Sequence, residues 1–161
     1  MILGDNILEN SVRGAREKFE VQKEGGLILL KKVPDLEGFG VPVFEGKRIV
    51  KIEGKPKLPA SPYAVIGVYF YDGTVFDRVR KLKPSGRREG EITHVNNSYL
   101  REGQLRYEVI EGGWTDAGTL ESLWRATKMA REKAPLAEEL KLAAAVWTSK
   151  DAAPSAFSCK C

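Results

Sequence analysis

The sequence predicts an α/β protein built on one mixed sheet flanked by helices. Three observations carry that prediction. The chain starts strand-then-helix across a short turn at "MILGDN", an apolar run "GGLILLKKV" follows at 25–33, and a long β-branched and aromatic run, "YAVIGVYFYDG", spans 63–73. With 161 residues, 42% hydrophobic and 30% charged, the length and composition suit one globular domain.

Residues 1–4 read as the end of a strand, and "DNILENSVRGAREKFEVQK" as a helix with Ile7, Leu8 and Val12 on one side and Asp5 or Asn6 as its N-cap. The run 25–33 is too short for a helix and fits a buried strand placed beside the first. "FGVPVFEGKRIVKIEGKP" alternates apolar and polar residues around Glu45-Gly46, so it reads as a β-hairpin with Val41, Val43, Ile49 or Val50, and Ile52 as structural positions. The run 63–73, closed by Asp72-Gly73, is expected at the centre of the sheet.

Helices follow near 74–82 and 90–102 around a Pro-Ser-Gly turn, the second with an apolar stripe of Ile92, Val95, Tyr99 and Leu100. "QLRYEVI" (104–110) is the last strand and "GGWTDAGT" a turn. Thr119 caps a helix to about 133 with Leu120, Leu123, Trp124 and Thr127 at helical spacing, and an Ala/Leu-rich helix spans 136–147. Residues 1–148 thus form one unit, and 149–161 read as a disordered tail.

Composition excludes several functions. The net charge of +4 is spread through Lys/Glu pairs, and the densest basic cluster, "KPSGRR", is followed by Glu89 and Glu91, so no nucleic-acid partner is expected. No apolar run reaches the roughly 20 residues of a membrane span, and residues 1–20 lack a secretory pattern, which points to the cytoplasm. Cys159 and Cys161 form neither a disulfide framework nor a zinc pattern. His94, the only histidine, reads as a solvated helix residue.

Two places join an acid to tight glycine turns: Asp5 in "LGDN" and Asp116 in "WTDAGT". Taken singly, each aspartate serves equally well as a helix cap. As a pair, both follow strands and precede helices, so both could sit at one carboxyl edge and share Mg²⁺, a hard ion that takes few carboxylates plus substrate phosphates. Lys55, before Pro56, is by default a surface lysine; aimed into a cleft, its ammonium would suit a phosphate.

The ordered motifs "LGDN", "GFGVPVFEGKRIVKIEGKP", "SPYAVIGVYFYD", "LKPSGRREGEITHVNNSYLREGQL" and "WTDAGTLESL" resemble the C-terminal half of glucose-1-phosphate thymidylyltransferase, collinearly from about residue 2 to 128. The resemblance implies part of a Rossmann-like nucleotidyltransferase fold (GT-A-like), without its N-terminal nucleotide-binding strands. Such enzymes join a nucleoside triphosphate, dTTP, to a sugar 1-phosphate, glucose 1-phosphate, giving dTDP-glucose and pyrophosphate with Mg²⁺. By that match Asp5 and Asp116 hold the metal and Lys55 contacts the sugar phosphate as the catalytic cation. Gly40 meets the sugar through its backbone, Val65 and Tyr69 line the sugar pocket, and Ile52 and Phe70 belong to the core.

Departures from the family pattern are specific. Gly54 stands where the family has a glutamate that binds sugar hydroxyls. Glu53 is the neighbouring carboxylate, and it substitutes only through a β-bulge, because consecutive strand residues face opposite sides. Phe39 replaces a tyrosine, and "RREGEITHVN" stands for a pattern close to "RGELEITDVN", which alters Arg88, Gly90 and His94. The Gly-rich signature G-G-x-G-T-R-L-x-P-x-T, which binds the triphosphate, is not in this sequence. Two expectations follow: a half-enzyme that works only with an N-terminal-half protein, or a non-catalytic truncated remnant. The remnant would bind a sugar phosphate or a partner, or form a homo-oligomer through an uncovered sheet edge near residues 2–4.

Overall fold

A computed structural model describes residues 1–82 and 92–133. The expected helix over 136–147, the tail over 149–161 with both cysteines, the Pro-Ser-Gly turn, Arg88 and Gly90 lie outside the described residues. In chain order the elements are β1 (Asn6–Leu8), α1 (Arg13–Gln22), β2 (Gly26–Lys32), β3 (Gly40–Glu45), β4 (Arg48–Gly54), β5 (Tyr63–Tyr71), α2 (Val75–Lys81), α3 (Ile92–Arg101), β6 (Leu105–Val109), β7 (Trp114–Asp116) and α4 (Leu120–Lys133).

Five strands form one mixed sheet in the order β4-β3-β5-β2-β6, with β2 antiparallel to β5 and parallel to β6. The expected central strand, β5, is the middle one. Both faces of the sheet are covered. Ile28, Leu30, Ile49, Ile52, Val65 and Tyr69 pack with Ile92 and Leu100 of α3 on one face. Leu27, Leu29, Ile66 and Val68 pack with Ala15, Val12 and Phe19 around α1 on the other. Burial on two faces explains why β2 and β5 read as continuous apolar runs.

The run 25–33 does not pair beside residues 1–4. Ile2 instead bridges Val68 of β5, on the edge opposite β2. The β2 start is fixed by a close approach: Gly25 has φ +84°, and a Cβ there would lie 2.3 Å from the Gln104 carbonyl oxygen. The Gly26 amide donates to that same oxygen at 2.9 Å, which docks β2 on β6.

Residues 6–8 are a strand and not the first turn of a helix. The helix begins at Arg13, so Asp5 and Asn6 are not its caps, and Ile7 and Leu8 lie outside it. Likewise "WTD" is strand, not turn: β1 and β7 form a separate antiparallel ribbon with Asn6 opposite Asp116 and Leu8 opposite Trp114. Three residues with a partner more than a hundred positions away carry no local period, and pairing with β7 outweighs the helical pattern.

The helix α3 shows the predicted stripe, with Val95 and Tyr99 buried and Ile92 and Leu100 against the core. His94 lies exposed on it. Asn97 of α3 clamps the edge strand β4: its Oδ1 accepts from the Ile52 amide at 2.9 Å, and its Nδ2 donates to the Ile52 carbonyl at 2.8 Å. That clamp satisfies backbone groups which an edge strand otherwise exposes. Tyr69, Tyr71 and Tyr99 stack in series, and the Arg78 guanidinium lies 3.8 Å from the Tyr99 ring centroid. Burial opposes ionisation of Asp72, yet donors from Thr74, Gly25 and Tyr99 outweigh it and hold its carboxyl below the usual range.

In α4 the apolar stripe faces solvent. Leu120 is 88% exposed and Trp124 56%, whereas Ser122 and Ala126 are buried. The hydroxyl of Thr119 accepts from the Ser122 amide at 3.1 Å, as a helix N-cap does.

Candidate active site

The site is assembled around the ribbon. Because Asn6 faces Asp116 across β1 and β7, Asp5 lies one rung away, and its carbonyl accepts from the Ala117 amide at 2.7 Å. The two aspartates expected to share a metal are therefore neighbours, through an antiparallel ribbon instead of the carboxyl edge of a parallel sheet. One oxygen of each is engaged locally: Asp5 Oδ1 accepts from Asn6 Nδ2 at 2.8 Å, and Asp116 Oδ1 from the Gly118 amide at 2.7 Å.

Asn6, read from sequence only as a cap, is the residue that fastens this arrangement. Its Oδ1 accepts from the Gly67 amide at 2.8 Å and from Trp114 Nε1 at 2.9 Å, while its amide group donates to Asp5. One carboxamide thus joins β1, β5, β7 and an aspartate. Gly67 allows it: a Cβ there would lie 2.4 Å from Asn6 Nδ2. A glycine inside the apolar run 63–73 was the available signal, since glycine in a strand marks a close approach.

Tyr69 borders Asp5. Burial, and then the Asp5 carboxylate, push its phenol up to about 12, so it is a neutral hydroxyl at physiological pH. Its backbone pairs with Met1, the Tyr69 amide donating to the Met1 carbonyl at 2.9 Å. Val65 is also buried, on the same face of β5 as Tyr69, within the Ile28, Leu30 and Ile52 cluster.

Gly40 opens β3, opposite Gly54 on one side and Val65 on the other. A Cβ at Gly40 would meet Ile52, Thr93 and Val65 at 3.5–3.7 Å, which is ordinary contact. The chain itself therefore leaves room above this Gly–Gly pair. Lys55 follows directly, exposed, and its amide donates to the Phe39 carbonyl at 2.9 Å. Its φ of +51° is left-handed, a conformation that costs a non-glycine residue about 1 kcal/mol and recurs at functional sites.

Glu53 lies elsewhere. It pairs with Lys51 at 2.8 Å, two residues away on the same face of β4, and the intervening Ile52 points to the face that holds Val65 and Tyr69. The β-bulge of this hairpin inserts Val50 on β4, between the rungs Val43–Lys51 and Phe44–Ile49, and so leaves Glu53 turned from them.

As a donor set, Asp5 and Asp116 suit a hard divalent cation that keeps waters and substrate phosphates as its other ligands. Among the described residues no group of three or more His, Cys, Asp or Glu could hold a metal on its own. No described helix is long and apolar enough to cross a membrane.

Comparison with known proteins gives this geometry a context. The glucose-1-phosphate thymidylyltransferase of Mycolicibacterium smegmatis is 43% identical over 134 residues, covering 81% of this chain and 46% of the relative. That of Neisseria meningitidis serogroup A is 40% identical over 130 residues, covering 78% and 45%. The chain therefore spans about half the length of the curated relatives it matches. A crystal structure from Bacillus anthracis, provisionally named a glucose-1-phosphate thymidylyltransferase and determined with a sucrose, superposes with a TM-score of 0.77 at 50% identity, over 83% of this chain and 54% of that one. A UDP-glucose pyrophosphorylase complexed with UDP-glucose shares the fold at 19% identity, with a TM-score of 0.72 over 83% and 56%. The family model described as nucleotidyl transferase matches residues 1–133, and with the mixed α/β sheet and relatives at about 40% identity it shows that this chain belongs to the nucleotidyl transferase family.

Proposed function

We propose that the chain is the sugar- and metal-binding half of a glucose-1-phosphate thymidylyltransferase. The observation that carries this reading is the β1–β7 ribbon, which sets Asp5 and Asp116 on adjacent rungs, with Asp5 beside Tyr69. In the reaction a phosphate oxygen of glucose 1-phosphate attacks the α-phosphorus of dTTP; the new P–O bond forms as the bond to pyrophosphate breaks.

Asp5 and Asp116 would hold Mg²⁺, which when bound supplies charge neutralisation for the phosphates. Lys55, presented at the end of β4, neutralises the sugar phosphate and orients its attacking oxygen. The Gly40–Gly54 pair lets the sugar approach the backbone, with Val65 and Tyr69 at the wall. Glu53 is given no sugar contact here because its carboxylate is turned to Lys51. The cytoplasm is the compartment this reading assigns.

The rest of the nucleotidyl transferase domain is the partner this half requires. Two apolar surfaces flank the ribbon and support that partner: Met1, Ile2 and Leu3 on the β5 edge, and Leu120, Leu123 and Trp124 on α4. The test mixes the purified chain with dTTP, glucose 1-phosphate and Mg²⁺, with and without the N-terminal part of the Mycolicibacterium smegmatis relative. Pyrophosphate release in the mixture alone, abolished by Asp116→Asn, supports the reading. No release in either tube refutes it.

A further inference from the structure

The face of β5 that carries Val65 and Tyr69 continues into a column of aromatic rings. Tyr69 and Tyr71 are two residues apart and so share a side of the strand, and their rings stack with centroids 5.8 Å apart and planes 8° apart. Tyr71 stacks in turn on Tyr99 of α3 at 5.4 Å and 10°, and the Arg78 guanidinium lies over the Tyr99 ring at 3.8 Å. The order is therefore Arg78, Tyr99, Tyr71, Tyr69. It runs from the helices to the residue that borders Asp5.

Polar bonds anchor every level of this column but the last. Arg78 Nη1 donates to Glu102 Oε1 at 2.8 Å, the Tyr99 hydroxyl donates to Asp72 Oδ1 at 3.0 Å, and the Tyr71 hydroxyl donates to Asn96 Oδ1. Of the three stacked phenols, only Tyr69 has a hydroxyl that no hydrogen bond engages among the described residues. The Tyr71 ring is seated over Gly26, its partner on β2, where a Cβ would lie 3.1 Å from Tyr71 Cδ1.

Packing alone does not account for the Asn96 bond. Asn96 is 1% exposed, and while its Oδ1 accepts from Tyr71, its Nδ2 has no partner. A buried donor without an acceptor is destabilising, and an apolar pair would fill the same space without one. What the carboxamide adds is a fixed Tyr71 ring.

We propose that Tyr71 is a positioning residue, which through its stack holds the Tyr69 ring so that the unengaged Tyr69 hydroxyl meets the sugar of glucose 1-phosphate. The inference rests on the thymidylyltransferase reading above and adds a residue to it. Tyr71 acts through Tyr69 alone. A wall hydroxyl set in place before the sugar arrives costs the ligand no ordering of the side chain, and the ring behind it supplies that order.

Calorimetry on the full chain, titrated with glucose 1-phosphate in the presence of Mg²⁺, tests the proposal. Tyr69→Phe should weaken binding ~10-fold, the loss of one hydrogen bond. Tyr71→Leu, which removes the stacked ring, should weaken it by a similar ~10-fold, and Tyr71→Phe, which keeps the ring and loses only the Asn96 bond, by ~3-fold. In the Tyr69→Phe background Tyr71→Leu should have no further effect, because the group it positions is gone. A merely structural role would weaken binding in both backgrounds. Should Tyr71→Leu not fold, Asn96→Leu leaves the rings in place and takes its part in both backgrounds, with ~3-fold expected in the first and none in the second. Glucose 1-phosphate bound equally by wild type and Tyr71→Leu, or a loss undiminished in the Tyr69→Phe background, overturns the positioning role and leaves the thymidylyltransferase reading standing. A wild-type chain that does not bind glucose 1-phosphate saturably refutes that reading, and the role with it.

Discussion

Replacing Asn6 by alanine removes the acceptor for the buried Gly67 amide and for the half-buried Trp114 indole N–H. A buried donor left without its partner costs about 1–3 kcal/mol. Water entering beside the half-buried Asn6 position recovers part of that, so about 3 kcal/mol is expected for the two together. Gly67→Ala attacks the same contact from the other side, since the new Cβ would lie 2.4 Å from Asn6 Nδ2 and 2.9 Å from its Oδ1. It should cost about 2 kcal/mol, within the usual penalty for overpacking. In the Asn6→Ala background the obstructing carboxamide is gone and the same substitution should cost little. Urea unfolding of the four proteins then gives a coupling of about 2 kcal/mol, well above the ~0.5 kcal/mol scatter of independent sites. Additivity within that scatter, or an Asn6→Ala variant as stable as wild type, refutes the assignment of Asn6 as the fastening of the ribbon to β5.

Three other substitutions and titrations probe separate links. Lys55→Gly should raise stability by about 1 kcal/mol in thermal unfolding, because glycine accepts φ +51° without strain, while abolishing glucose 1-phosphate binding. Asn97→Ala, which strips both hydrogen bonds from the Ile52 backbone, should destabilise by about 2 kcal/mol and speed amide exchange at Ile52 first. Ultraviolet titration should show one phenol ionising near 12, and Asp5→Asn should lower it while leaving it above 10, since burial is the larger cause. The sign for stability follows: a phenol held protonated by the fold favours the folded state less and less as pH rises from about 10, where the unfolded chain ionises, to about 12.

The long sheet strands were legible because their signals are local and strong. β5 carries nine consecutive residues, six of them buried, and the hairpin around Glu45-Gly46 alternates as its one-sided burial requires. What stayed illegible is non-local. β1 has three residues and a partner at 114–116, so nothing between them encodes the pairing. The aspartates were expected together for a reason the fold does not use, the edge of a parallel sheet, and the antiparallel ribbon brings them together instead. The stripe on α4 misled in the other direction: Leu120, Leu123 and Trp124 have core spacing, yet the helix turns Ser122 and Ala126 inward against β7. Helical periodicity identifies which residues share a face, not whether the fold covers it.

Those exposed faces and the aspartates Asp5 and Asp116 are mechanically linked. The Leu3 amide donates to the Gly67 carbonyl and the Tyr69 amide to the Met1 carbonyl, which leaves the Ile2 N–H and C=O turned to the outer side of the sheet. Gly67 also donates to Asn6, and Asn6 to Asp5. A strand added at the Met1–Leu3 edge would pair with Ile2, hold the first residues in register on β5, and so restrict the backbone that carries Asp5. α4, which follows the same Asn6–Asp116 end of the ribbon, starts four residues after Asp116 and constrains that aspartate in the same way. One partner covering both faces would thus fix the two carboxylates simultaneously, so that association and metal affinity rise together by linkage. Mg²⁺ should then bind more tightly to the complex than to the chain alone, and added Mg²⁺ should tighten the complex by the same factor. Isothermal titration in both directions measures the factor, which linkage makes the same either way, and a metal affinity indifferent to the partner would break the link from sheet edge to aspartate.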